Sequence, residues 1–334
     1  MTKQLKVFGH PWHLSHQYEL SKLPFLDWSW LIQYKRPYSK KSRGDFMAGR
    51  WVHEYEAGKY DVAILHLDQQ CIEPELMERG KGTLYKELNK VITDIPKIVI
   101  MHGTTYYPEK FSKDEVVAKV KELVGENTMV TNSRQAAKDF GFGTPIIHGL
   151  DPAEWLDLPK EPRVVTMVSP GGLDKYYDRQ FLEAIREELQ MRDIYHCHIT
   201  VDWQSEDWDD YKNFLGRSLI FIAPFKDSPM PRSRTEAMLS GCCILTTPWQ
   251  DAGEFITHGE NGYIIGDEKM GVPRNPVAVA DLVEFLMENY KMTVGIGQKG
   301  KETALKLFTV ENYQRQWREL LEKVTGKKLH EETI

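Results

Sequence analysis

The chain has 334 residues, 41% of them hydrophobic and 28% charged, enough to bury a substantial core and to build two domains. A net charge of -6 excludes a general nucleic-acid coat, which would be basic, and no apolar run reaches the length that spans a bilayer. The N-terminal stretch MTKQLKVFGHPW has no long apolar core of a secretory signal, so a cytoplasmic protein is expected. Cys71, Cys197, Cys242 and Cys243 show no CxxC spacing, and three of them lie in or beside apolar runs. They read as reduced core thiols rather than disulfides or metal ligands.

In chain order, LKVFG at 5–9 predicts a first strand, and Leu14, Tyr18 and the apolar positions from Leu20 to Leu23 predict a helix after it. A strand feeding a helix is how a doubly wound domain opens. His10, His13 and His16 recur every three residues, but no acidic cluster accompanies them, so no metal site is expected there. The segment 27–50 reads as irregular and mixes aromatic with basic residues. Such a mixture suits an anionic or carbohydrate acceptor, since aromatic faces stack on sugars and Lys or Arg pair with phosphate; a solvated loop fits it equally.

YDVAILHLD, PKIVIMHG, NTMVTNS and TPIIHGLD then predict strands two to five, with helices between them such as KDEVVAKVKELVG. Alternation of this kind predicts a parallel sheet covered on both faces. His102 stands just past IVIM, at the carboxyl end of a strand, where such sheets hold ligands. A charged, proline-containing connector at 156–163 predicts a domain boundary.

The second half opens with VVTMVS, then PGGLDKYYD and a helix. Amides at Gly171 and Gly172 in a loop before a helix could cradle phosphate, with Lys175 as a point charge; two glycines can equally do no more than turn the chain. Asp207 and Asp209 form a DxD pattern, discounted as a solvated helical face. SLIFIAPF predicts a strand, followed by a proline-rich loop, a short helix from Thr235 to Ser240 closed by Gly241, and a buried strand CILTT. Glu236 falls in the first turn of that helix, as a cap or as a ligand contact. VAVADLVEFLMENY and FTVENYQRQWRELLEKV predict two later helices.

Pro224, TEAM, SG, a strand, Glu254 and GENGY together resemble the donor-site signature of glycosyltransferases with the GT-B fold, most closely the retaining family 4. The resemblance implies two Rossmann-like α/β domains with parallel sheets facing across a cleft. Their expected extents are 1–157 for the acceptor domain and 163–308 for the donor domain, with a helix at 309–325 packing back on the first. It implies transfer of a sugar from a nucleotide diphosphate sugar, as substrate and with no other cofactor, to a glycan, lipid-linked or other hydroxyl acceptor. Retention and independence of metal are implied too. No nucleic acid or transmembrane segment is involved, though peripheral membrane contact is compatible.

Residue by residue, Glu236 matches the family's second signature glutamate, which binds ribose, and Lys175 its diphosphate lysine. His102 in MHGT matches a histidine that contacts the donor sugar. His13 and His16 fall on the acceptor side. The chain departs from the pattern where Ser228, beside Asp227, stands in place of the first glutamate, and where Ser169 stands in place of the phosphate-binding arginine. Asp227 or Ser228 would then face the transferred sugar, and Arg232, Arg234 or Arg179 would supply the missing cation. The competing functions are a catalytically silent nucleotide- or glycan-binding module, a sugar-nucleotide epimerase and, last, a dehydrogenase, for which FGHPWH offers no GxGxxG.

Overall fold

The protein is described from a computed structural model, covering residues 4–12, 14–32, 49–68, 71–73, 81–107, 110–168, 170–199, 205 and 207–329. It packs as two units: one runs to Gly149 and resumes at Val310, and the other spans Leu150–Thr309. The connector expected at 156–163 thus lies inside the second unit.

The first unit holds a seven-stranded sheet of β1 (Leu5–Gly9), β2 (Leu26–Leu31), β3 (Arg50–Val52), β4 (Val62–Leu67), β5 (Lys97–Met101), β6 (Thr128–Thr131) and β7 (Thr144–Pro145). Its order is β3-β2-β1-β4-β5-β6-β7 and every pairing is parallel. The order reverses between β1 and β4, the switch point where doubly wound sheets open a crevice at their carboxyl ends. All six residues of β4 are buried, as expected of a strand covered on both faces.

Helices α1 (Leu14–Leu20), α2 (Lys81–Val91), α3 (Lys113–Val124) and α4 (Arg134–Phe140) belong to this unit. In α3 the Ser112 hydroxyl accepts from the Glu115 amide while the Glu115 carboxylate accepts from the Ser112 amide, a reciprocal box that fixes its start. Val116, Val120 and Val124 form its buried stripe.

The stretch 27–50 departs from the irregular segment expected. Leu26–Leu31 is β2, paired along its length with β1, and Trp28 and Trp30 are buried and stacked, with centroids 4.1 Å apart. These rings are core, unavailable to an acceptor. The basic part of that segment, residues 33–48, lies outside the described residues.

In the second unit, β8 (Glu161–Met167), β9 (His196–Ile199), β10 (Ser218–Ala223), β11 (Cys243–Thr246) and β12 (Tyr263–Ile264) form a parallel sheet ordered β12-β11-β10-β8-β9. Its switch point lies between β8 and β10. Helices α5 (Pro170–Tyr176), α6 (Arg179–Met191), α7 (Trp208–Arg217), α8 (Arg232–Leu239), α9 (Ala252–Phe255), α10 (Pro276–Glu288) and α11 (Tyr290–Leu307) complete it.

The last helix, α12 (Val310–Thr325), returns to the first unit, where Tyr313, Trp317, Leu320 and Leu321 join the core that contains Val7, Trp30, Ile64 and Ile98. The four cysteines are buried and form no disulfide, as expected of core thiols. Among the described residues no helix is long and apolar enough to cross a membrane.

Candidate functional site

In the second unit the elements at the β8/β10 switch point are tied together by backbone. The Asp178 amide donates to the Pro224 carbonyl at 2.8 Å and the Lys226 amide to the Tyr176 carbonyl at 2.9 Å. A Tyr177–Phe225 bridge lies between them, with the two rings 4.5 Å apart. The buried Tyr177 hydroxyl donates to the Met167 carbonyl at the end of β8. Lys175, at the end of α5, and the 224–231 loop with Asp227 and Ser228 are therefore held side by side. Lys175, Asp227 and Ser228 are all half-buried.

Two expectations are corrected here. Gly171 and Gly172 are in the first turn of α5 rather than in a loop, because the helix begins at Pro170, a residue whose fixed φ suits a helix start. Helix α8 begins at Arg232 rather than Thr235, directly after Pro231, so Glu236 is its fifth residue and caps nothing. Its carboxylate instead accepts from the Tyr211 hydroxyl at 3.0 Å, and both side chains are buried. Tyr211 stacks on Trp208 at 4.9 Å. Beside this group, burial and the neighbouring Glu236 charge push the Glu154 carboxyl up to about 7, against the pull of Lys212 and Arg232.

The far end of α8 closes as a Schellman turn: the Gly241 amide donates to the Met238 carbonyl and the Cys242 amide to that of Ala237. Gly241 sits at φ +72°, and a Cβ there would lie 2.6 Å from Asp157 Oδ1. The buried Lys160 ammonium donates to Gly216 O at 2.7 Å and to Ser240 O, so one cation serves the carboxyl ends of both α7 and α8.

The three candidate arginines differ. Arg179 is engaged by Asp174 at 2.9 Å and Glu183 at 2.7 Å. Arg234 is fully buried between Phe225 and Phe255, 5.7 Å and 4.9 Å from their centroids, and its Nε and Nη1 have no hydrogen-bond partner among the described residues. Burial brings its pKa down to about 10 against the attraction of Asp251, so it stays a cation at neutral pH. Arg232 is half-buried at the first position of α8, the end where the helix dipole favours an anion. Asp207 is spent as the N-cap of α7, accepting from the Asp209 and Asp210 amides at 2.9 Å each. Ser169 lies outside the described residues.

In the first unit, His102 lies at the carboxyl end of β5, and its Nε2 is 2.9 Å from His66 Nδ1 at the end of β4. His16, on α1, meets the His102 ring edge-on at 4.6 Å. Trp12 lies parallel to both rings, 5.6 Å from His102 and 5.8 Å from His66. His10, just past β1, accepts from the His66 amide at 3.4 Å. His13 lies outside the described residues. The structure thus groups His16 with His66 and His102 rather than with its sequence neighbours alone. His66 was missed, although a histidine inside the apolar run VAILHL was its signal; Tyr211, in a charged stretch, gave none.

Residues 178–303 match the family model of glycosyl transferases group 1. Among solved structures, Anabaena HepE in complex with UDP and glucose superimposes with a TM-score of 0.65 at 14% identity, covering 96% of this chain and 100% of that one. Sucrose-phosphate synthase from Thermosynechococcus elongatus gives a TM-score of 0.65 at 11% identity, over 97% and 100% of the two chains. A glycosyltransferase from Rickettsia africae gives 0.58 at 11%, over 96% and 98%. No curated protein sequence matches the chain. Residues 178–303 thus carry the glycosyl transferases group 1 match, and the chain as a whole has the GT-B fold of these glycosyltransferase structures.

Proposed function

We propose that the protein moves a sugar from a nucleoside diphosphate sugar to an acceptor hydroxyl, with retention and without an obligatory metal ion. The observation that carries this reading is the backbone pairing of 176–178 with 224–226 at the switch point of the second sheet, which sets Lys175 beside the Asp227 and Ser228 loop. The group 1 match over 178–303 and a neighbour solved with UDP-glucose support the same ligand class.

The task in such a transfer is to stabilise charge that builds on the leaving diphosphate and to hold the reacting centres together. Lys175, the Gly171 and Gly172 amides and Arg232 take the diphosphate, and the buried Arg234 adds its positive charge from within the core. Glu236 accepts from the ribose hydroxyls, its carboxylate oriented by Tyr211. His102 contacts the donor sugar, Asp227 or Ser228 faces the transferred ring, and His13 and His16 serve the acceptor. The acceptor is a glycan, a lipid-linked sugar or another hydroxyl compound.

A thermal-shift panel of UDP, GDP, ADP, CMP and their sugar conjugates tests the donor site, since a ligand that binds only the folded state raises Tm. One nucleotide should raise Tm in the native protein and fail to do so in Glu236→Ala. Turnover with that donor should persist in EDTA and keep the anomeric configuration. A folded protein that responds to no nucleotide would end this reading. Binding without transfer or hydrolysis would replace it with a silent binding module, for which the serine at 228 is the motivating feature.

A further inference from the structure

We propose that His16, His66 and His102 form a binding site for one transition-metal ion of the zinc class at the switch point of the first sheet. Their ligand nitrogens all lie within 4.8 Å of one another. Zinc–imidazole bonds of about 2.0–2.1 Å put the nitrogens of a tetrahedral site about 3.3 Å apart, so small ring movements would close the set. The His66 Nδ1 and His102 Nε2 atoms, hydrogen-bonded at 2.9 Å, would exchange that bond for the ion and move slightly apart to reach this edge.

The three rings come from three elements, α1, β4 and the turn after β5, and no carboxylate belongs to the set. Imidazoles without carboxylates suit Zn(II), Co(II), Ni(II) or Cu(II) and not Mg(II) or Ca(II). Three protein ligands leave one position open to water or another ligand. The surroundings hold the rings in place: Trp12 stacks on His66 and His102, and His10 accepts from the His66 amide. Ordered neighbours of this kind orient ligating histidines in metal sites. The site shares His16 and His102 with the transfer reading, which needs no ion; an ion held there would occupy both imidazoles.

The test is calorimetric titration of zinc chloride into the chelator-treated full chain at pH 7.5, without donor. One ion per chain should bind with micromolar or tighter Kd. Affinity should weaken at least tenfold at pH 5.5, about one unit below the ordinary imidazole pKa, because ligation requires neutral rings. His66→Asn and His102→Asn should each weaken binding at least a hundredfold, while His53→Asn, at an exposed position, should leave it unchanged. Absence of one-to-one binding, or binding indifferent to both cluster substitutions, would overturn the proposal. The unmodified protein supplies an independent readout if a variant fails to fold. Co(II) should develop the strong visible absorption of a tetrahedral nitrogen site, and a weak spectrum like that of the hydrated ion would equally overturn it.

Discussion

Glu236 and Glu154 show what a residue's surroundings make of it. Glu236 reads in sequence as a first-turn cap or a ligand contact, and its place in the second turn of α8 lets it accept from Tyr211. Tyr211→Phe should leave a buried carboxylate one donor short and destabilise the fold by about 1–2 kcal/mol, read as a lowered urea midpoint, and should weaken nucleotide binding as well. Glu154 titrates at about 7 in the fold against an ordinary 4.5. Between those values the folded state keeps a proton that the unfolded chain gives up, so stability falls as pH rises through the window and is lowest above it. Glu154→Gln should therefore be more stable than the native protein at pH 8 by about 2 kcal/mol, less than the whole shift implies because the side chain is partly exposed. The difference should nearly vanish at pH 4.5. Equal slopes of unfolding free energy against pH in the two proteins would refute this account.

At the scale of elements, the second unit depends on how α7 and α8 end. Lys160 joins the carbonyls of Gly216 and Ser240, and Gly241 turns the chain beneath them. Lys160→Met should take the ammonium donor from the Ser240 carbonyl and leave the Gly216 carbonyl to the Leu158 amide, at a cost of about 1–3 kcal/mol, measured by chemical denaturation. Gly241→Ala meets both a left-handed backbone and the Asp157 carboxylate, so its cost should reach about 1–3 kcal/mol. A Tm equal to that of the native protein in either variant would show that the turn is not the constraint described. These elements also mark what could be read from sequence. Strands with continuous apolar runs, such as β4, β5 and β10, declare themselves, as does the valine stripe of α3. The β2 strand did not, because two tryptophans beside a basic run resemble a ligand-gripping loop until the sheet closes over them. The start of α8 was misjudged by one turn because Arg232 and Ser233 neither favour nor forbid a helix, and only the backbone set by Pro231 decides. The resemblance singled out Glu236, Lys175 and His102, but Tyr211 and Glu154, beside Glu236, lie 25 and 82 positions from it, and His66 lies 36 from His102, beyond any local pattern.

At the scale of the molecule, the two-sheet organisation was legible from the alternation of strands and helices, and the strand orders follow from where each crossover returns. The first unit is discontinuous in sequence, since α12 supplies four large side chains to its core. Removing residues 310–329 should strip Trp317 and its neighbours from beneath the sheet, at about 1.5–3 kcal/mol for each large apolar side chain, enough to unfold a unit of ordinary stability. Hydrogen exchange would then show protection lost in β1, β4 and β5 and kept in β8, β10 and β11. Uniform protection in both sheets would contradict that assignment. The same discontinuity orders events during biosynthesis. A ribosome makes the strands up to Gly149 before the second unit, but the apolar face that receives α12 stays open until the 160 residues from Leu150 to Thr309 have been made and α12 has followed. At about 5–20 residues per second this is a delay of about ten to thirty seconds or more. The unit whose strands are synthesised earlier is therefore completed after the one that follows it, and in that interval its apolar face is open to whatever shields nascent apolar surface.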